Sequence, residues 1–486
     1  MSPSVEPFDE AKYKALMDGL ECSEISLSTV FEYESFRIDS HFFEKQYSDL
    51  KRTIGMLPCE ILRNLVAKPI QTGHTPSMVV DEYYGGNIPL IKTNNLHENT
   101  ISTVFTDYLT SKGNAIISRT ELAKDDIITT IIGATEEIIA RSALVTAETI
   151  PANINQNIAQ IRIDSKKIAP EYVNAYLNSF YGKQYLLYLS RQTEQVNLNC
   201  KEVEIVPVPV VSKSFQEIIA SITRRATTLS LAASEAYNAG GKHLSDNFPI
   251  TQSDYVVEPP RIKFFQESYK KSGRLDAEYY QEKYERYSES LHTNETVGSM
   301  CKLHDETFLP KENENYRYIE LSNVGLAGEI SGVDKINGAE LPSRARRKVK
   351  TGQIVISSVE GSLQSCALIT EDHNNCLCST GFYILDSEDI NPETLLVLFK
   401  SKVIQALMKQ RCSGTILAGI TKDELLSMPL PKIDEELQKD IAVKIHESFN
   451  LRRQSKQLLE YAKQAVEMAI EQGEDVAIAW LKDKVE

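Results

Sequence analysis

Three sets of side chains in this sequence have types and spacings that could do chemistry. Asp126 with Asp164-Ser165-Lys166 gives an acid, acid, lysine pattern, the set that holds Mg²⁺ and activates water in metal-dependent nucleases. The pattern is short, and Asp164 follows the apolar run Asn157 to Ile163, where it serves equally well to open a turn. The eight cysteines include only one close pair, Cys376 and Cys378, and no CxxC. Zinc sites draw on ligand pairs a few residues apart, so buried reduced thiols are expected instead. The third set is SRARRKVK, Ser343 to Lys350, which carries five cations and no acid. Such a run suits phosphate contact, or forms a solvated face. Two further patterns fail. The sole Pro-Pro, Pro259-Pro260, lacks the Asn or Asp before it and the aromatic after it that an amino-methyltransferase needs to hold its target amine. Gly241-Lys242 is followed by His243, not by the Ser or Thr of a phosphate-binding loop.

Elements must position these groups, and 486 residues can build two to four domains. A hydrophobic content of 42% with 25% charged residues is that of an ordinary globular chain. The net charge of −15 excludes a protein that coats nucleic acid indiscriminately. The longest apolar stretch, Ile127 to Ile132, is strand-sized and interrupted by Thr129 and Thr130, and the N-terminus lacks a secretory pattern. A cytoplasmic location without a membrane partner is expected.

The chain repeats itself. Pro207 and Pro209 in VEIVPVPVV reappear 222 residues later as Pro429 and Pro431 in LLSMPLPKI. The same offset joins Pro170-Glu171 to Pro392-Glu393, Glu202 to Glu424, Gln216 to Gln438, and Ile219-Ala220 to Ile441-Ala442. Upstream the offset grows to 228 for IKTNNL (from Ile91) against IELSNV (from Ile319). It reaches 237 for the Arg-x-Asp segments at Asp39 and Asp276. A tandem duplication with loop residues lost from the second copy accounts for this.

Each copy reads as an amphipathic helix after Arg-x-Asp, a strand-rich region, helices opened by Pro-Glu, and a long closing helix. The fold class is α+β, with two pseudo-symmetric mixed domains. Expected boundaries are a helical extension (1–55), a first domain (56–212), a first long helix (213–238) and a linker (239–260). A helical segment repeating 24–53 (261–290), a second domain (291–433), a second long helix (434–472) and a tail (473–486) follow. The first long helix carries Phe215, Ile219, Ile222, Ala226, Leu229, Ala233 and Ala236 at alternating spacings of four and three. Leu437, Ile441, Leu451, Leu458, Ala462, Ala465 and Ala469 follow suit in the second, weakened by Lys444, Ser448 and Ser455. Two heptad seams predict an antiparallel coiled coil. At ~1.5 Å per residue the first helix spans about 37 Å, near one turn of B-DNA; the second reads longer.

Gln71 to Leu96, QTGHTPSMVVDEYYGGNIPLIKTNNL, resembles the segment opening the target recognition domains of type I restriction-modification specificity subunits. Tyr84 stands where Trp is common there, and the second copy keeps YRYIELSNV without a Thr-Pro-Ser loop. The likeness extends over nearly the whole chain. It implies a non-catalytic subunit in which each domain reads half of a split double-stranded DNA site. The helices would serve as spacer and docking surface, with Ile219, Ile222, Leu229, Leu437, Ile441, Leu451 and Leu458 as candidate partner-binding positions. It further implies two modification subunits using S-adenosylmethionine to methylate adenine at N6, and two restriction subunits using ATP and Mg²⁺, with no cofactor on this chain. The rivals are a coiled-coil scaffold, another methylation-guided defence system, and the nuclease.

Base readout needs donors and acceptors, with cations on phosphates to fix register. In the first copy the candidates are Thr75, Ser77, Tyr83, Tyr84, Lys92, Asn94, Asn95, Arg191 and Gln192. Asn94 and Asn95 equally suit a turn, and Gly85-Gly86 is expected to shape one. Asn155, Gln156 and Asn157 read as caps before they read as adenine ligands. In the second copy Arg344, Arg346, Arg347 and Lys348 lead, with Ser357, Ser358, Lys409 and Arg411 behind them.

Overall fold

The computed structural model describes residues 8–20, 24–31, 37–102, 105–191, 196–247, 262–333, 335–414 and 418–485. The chain forms two compact units, Met1–Thr228 with Gln454–Glu486, and Leu229–Arg453. No helix among the described residues is long and apolar enough to cross a membrane.

Each unit contains a four-stranded antiparallel sheet with the same order. In the first it runs Gln71–Thr72, Ile158–Ile161, Ile127–Thr130, Ser142–Leu144, and in the second Lys302–His304, Phe382–Asp386, Ile354–Ser357, Cys366–Leu368. β-branched runs such as IITT and IVIS are buried along their whole length, as the central strands must be. A second sheet in each unit contains one parallel pair, Asn153–Ile154 beside Tyr84–Ile91 and Leu377–Ser379 beside Asn315–Ile319. Here the units differ. Tyr108–Leu109 pairs with the long strand in the first unit, whereas Ala345–Lys348 pairs with Leu377–Ser379 in the second, and Lys335–Asn337 adds an edge.

Helices Pro170–Asn178 and Pro392–Lys400 both carry Pro in the first turn, where no intrahelical N–H is needed. The second Pro-Glu segment does not continue as one helix. Ser401 ends the first helix and caps the next, Lys402–Arg411, by accepting from Ile404 N, as Ser179 does from Gly182 N for Phe180–Leu189.

The repeat extends to latches between elements. Arg37 grips Asp39 with two hydrogen bonds of 2.8 Å and donates to the Leu189 and Ser190 carbonyls that end a helix. Arg274 grips Asp276 likewise (2.8 and 2.7 Å) and donates to the Cys412 carbonyl, 222 residues beyond Ser190. Both guanidinium groups lie 4.5 Å from an aromatic ring five residues on, Phe42 and Tyr279. A cation on terminal carbonyls satisfies acceptors the helix cannot. Gln216 accepts from Ala169 N and donates to Val211 O; Gln438 accepts from Asn391 N and donates to Ile433 O. These amides hold each long helix to the start of its Pro-Glu helix.

The first long helix runs Lys213–Asn247, nine residues past the expected end, so 239–247 is helix, not linker. Residues 248–261 lie outside the described residues. The glycines that suggested a break are tolerated because a side chain at Gly240 would lie 3.5 Å from Lys444 and Ile445, so the second helix packs there. With the second at Glu435–Gln472, 38 residues against 35, the apparent difference in length largely disappears. The expected tail is a helix, Glu474–Val485, whose Ala477 and Leu481 are buried.

The two helices pair antiparallel. Within the first unit Ser455 donates to Ala226 O (2.7 Å), and Glu474 accepts from Ser212 N (2.9 Å). Within the second, Ser448 donates to Ala233 O (2.7 Å), and Ile445 packs near Gly240. Ser448 and Ser455 therefore do not weaken the seam: opposite alanine they let the backbones approach and bond. The partner-binding assignment is corrected in part. Ile219, Ile222, Ile441 and Leu458 are buried within this chain, leaving Leu229, Leu437 and Leu451 half-buried.

Candidate nucleic-acid interface

In the first unit a loop leaves the edge strand Gln71–Thr72 and returns at Asp81–Tyr83. Its base has no room for a side chain, since a Cβ on Gly73 would sit 1.9 Å from the Ile154 carbonyl oxygen. This close approach sets the loop against the turn at 153–157. Thr75 Oγ1 donates to Gln156 Oε1 (2.6 Å), and Tyr84 OH donates to Pro76 O (2.6 Å). The tip, Ser77-Met78-Val79, is held out in solvent, with Val79 91% exposed. Gln156 is exposed, whereas Asn155 is buried and accepts from Asn157 N to close the turn. Of the three amides, Gln156 is thus the one presented beside Thr75.

The other candidates of this unit divide. Asn94 is exposed. Asn95 is 2% exposed and its Oδ1 accepts from Lys92 N, so its side chain closes a turn and is withdrawn from any ligand. Lys92 pairs with Asp107 at 2.6 Å. Burial works against ionisation of Asp107, but the hydrogen bonds from Lys92 and Thr106 and the lysine's charge together outweigh it and hold the carboxyl below its ordinary range. Tyr84 is committed to Pro76, and burial raises its phenol. Tyr83 is half-buried, its carbonyl taken by Thr110 N. Gly85 lies at φ 80° within the strand Tyr84–Ile91, where the register shifts between Tyr84 and Ile88, so it shapes a strand irregularity and not the expected turn. Arg191 pairs with Glu202 at 3.2 Å; Gln192 lies outside the described residues.

In the second unit the basic run forms the edge strand Ala345–Lys348, bulged between Ala345 and Arg347. A bulge breaks the alternation that would send successive cations to opposite faces. Arg344 and Lys348 are exposed, Lys348 lying 5.4 Å from the ring of Phe308. Arg346 is half-buried, and its carbonyl accepts from Phe308 N (2.7 Å). That bond ties the strand to the loop after Lys302–His304, whose Leu309 is 73% exposed. Arg347 turns inward, donating to Phe382 O beside the Tyr383 ring. Ser357 is fully buried against Ser362, and Ser358 donates to Gly381 O, so both serve the fold. Lys409 is exposed; Arg411 is largely buried and donates to Leu407 O. Burial of strand and helix ends, invisible in a linear sequence, removes these side chains.

The acid, acid, lysine set is not a metal centre. Asp126 is 1% exposed, and its carboxylate accepts from Arg162 Nε (2.6 Å) and Nη2 (2.7 Å), Gln160 (2.6 Å) and Ala123 N (2.8 Å). Asp164 caps its own turn by accepting from Lys166 N. Both oxygens of Asp126 are thereby engaged, Oδ1 by one donor and Oδ2 by three. Cys366, Cys376, Cys378 and Cys412 are buried free thiols, as expected; Cys59 is exposed.

No protein-family model matches the chain, and no curated protein does. Among solved structures, the chain is similar to specificity subunits of type I restriction-modification systems. The S subunit from M. genitalium shares 12% identity over 85% of this chain and 95% of that one, with a TM-score of 0.38. The HsdS subunit from Thermoanaerobacter tengcongensis shares 14% over 86% and 97%, with a TM-score of 0.29. A structure concerned with complex assembly and conformational transition of the type I R-M system shares 15% over 86% and 99%, with a TM-score of 0.29.

Proposed function

We propose that this chain is the DNA specificity subunit of a type I restriction-modification complex, each unit reading one half of a split target. The observation that carries the reading is a duplicated domain whose latches are kept while its exposed loops are not. Arg37 and Arg274, and Gln216 and Gln438, hold equivalent positions in equivalent ways. At the corresponding sheet edge one unit presents Thr75, Ser77 and Gln156, the other Leu309 and the basic strand. Two scaffolds alike with reading surfaces unlike is what recognition of two different half-sites requires.

In this reading the chain does no chemistry on DNA. Two modification subunits bring S-adenosylmethionine and methylate adenine at N6, and restriction subunits bring ATP and Mg²⁺ for translocation and cleavage. Partners dock on the outer faces of the helix pair, since its seam is consumed internally. The test is single-molecule methylome sequencing of cells with and without this gene. A split adenine-methylated motif present only with the gene is expected; identical methylation in both strains would sink the reading.

A further inference from the structure

A groove of about 320 Å³ opens on the second unit, lined by Asn315, Arg317, Lys335, Asn374 and Asn375 among others. Among the described residues its lining holds two cations, three side-chain amides and no carboxylate. Arg317 and Lys335 stand directly opposite each other in the antiparallel pair Asn315–Ile319 and Lys335–Asn337. Opposed residues share a face, with Cβ atoms about 5 Å apart, and like charges so placed repel. No ion pair among the described residues relieves this. Arg317 donates to the Asp372 backbone carbonyl, and the Lys335 side chain has no ion pair or hydrogen bond among the described residues. Asn374 accepts from Thr351 N through Oδ1, leaving its amide protons for the groove. Asn375 is held in a left-handed conformation at φ 62° with its N–H on Val349 O, which fixes where its side chain departs.

We propose that this groove binds a backbone phosphate of duplex DNA, with Lys335 and Arg317 as its paired cations and the asparagine amides reaching past it to the neighbouring nucleotide. The assignment rests on the DNA-reading function above. A bridging anion turns the repulsion between the cations into two attractions, and the amides supply neutral donors that match phosphate and sugar oxygens. A polymer is favoured over free phosphate by the rest of the sheet. Its opposite edge is the strand Ala345–Lys348, and four strands at ~4.8 Å put the two edges about 14 Å apart, close to the ~12 Å width of the major groove. Cations at both edges can engage one duplex together; a small anion meets only one.

The experiment measures binding of the full chain to a duplex pool of randomised sequence across a salt series, with thermal unfolding in parallel. Lys335→Gln is expected to make the slope of log affinity against log salt shallower by about 0.9, one phosphate's worth, and Lys335→Glu by more. Lys335→Glu, which sets a carboxylate opposite Arg317, is also expected to hold or raise the unfolding temperature, so weaker binding cannot be blamed on misfolding. Wild-type binding with an unaltered slope in both variants overturns the groove assignment while leaving the function in place. Failure of the wild type to bind any duplex overturns both. Stabilisation of the wild type by inorganic phosphate as strong as that by duplex, lost in Lys335→Gln, overturns the choice of DNA over a free anion.

Discussion

In the first unit a bidentate arginine, Arg37, closes on two carbonyls at a helix end, while a threonine-proline-serine loop, tied at its base to Gln156 and Tyr84, holds its tip in solvent at the sheet edge. In the second, Arg274 closes on one carbonyl of the equivalent helix end, while the equivalent loop is bonded to a basic strand. Interior contacts have been held through the duplication and the rim has drifted. Interior hydrogen bonds are costly to lose because a buried partner is left unsatisfied, whereas an exposed loop can exchange its bonds for water.

The largest expected break in this symmetry comes from the arginine latches. Arg37→Ala should destabilise the first unit by about 3 kcal/mol, because it strands two carbonyls and a carboxylate, and Arg274→Ala the second by about 2 kcal/mol. Denaturant unfolding followed within each unit would check the ranking; equal losses would mean that the second carbonyl contact adds nothing. The same latches set an acid limit. The hydrogen bond from Arg37 holds Asp39, and that from Arg274 holds Asp276, below the ordinary carboxylate range. Their folded values are depressed, so their stabilisation is present above the ordinary carboxylate pKa of about 3.9 and drains away as pH falls through the lowered values. Urea midpoints measured down through pH 4 should fall less steeply in Arg37→Ala than in the wild type.

Much of this architecture was legible in advance. The 222-residue offset located both glutamine latches and both Pro-x-Pro segments, the first a strand and the second an isolated bridge from Pro429 to Thr296, because an interior contact demands one residue type at one position. The heptads predicted the pairing of the long helices. What escaped was whatever depends on the far side of a contact. Glycines near the end of the first helix look like a terminus until the second helix is set against them, and Ser448 and Ser455 look like flaws until their acceptors are seen. Asn95 and Ser357 read as donors to DNA because a sequence does not display burial. Arg317 and Lys335 went unnoticed for the converse reason: strand register brings them face to face from positions that show no clustering.

Smaller effects sharpen the comparison. Gln216→Ala and Gln438→Ala should each cost about 2 kcal/mol, since each amide is buried and bonds twice or more; a large difference between them in thermal unfolding would show that the two latches are not equivalent. Ser448→Ala and Ser455→Ala should each cost about 1 kcal/mol, equally and additively, which a double-mutant cycle would reveal. The smallest effect belongs to a pair that has changed chemistry. Glu171 meets Arg224 at 2.9 Å, and its counterpart Glu393 meets His446 at 2.6 Å. Arg224 and His446 are more than half exposed, so Arg224→Ala and His446→Ala should each shift stability by less than about 1 kcal/mol.

The partition of the chain bears on its synthesis. The second unit is one unbroken stretch, but the first combines Met1–Thr228 with Gln454–Glu486. At ~5–20 residues per second, a ribosome needs roughly 10–45 s to traverse the stretch between those two segments. Throughout that interval the N-terminal segment waits with Ala226 of its helix uncovered by Ser455, and the unit begun later is fully synthesised before the first can close. The nascent chain is therefore most open to proteases and chaperones at its oldest part.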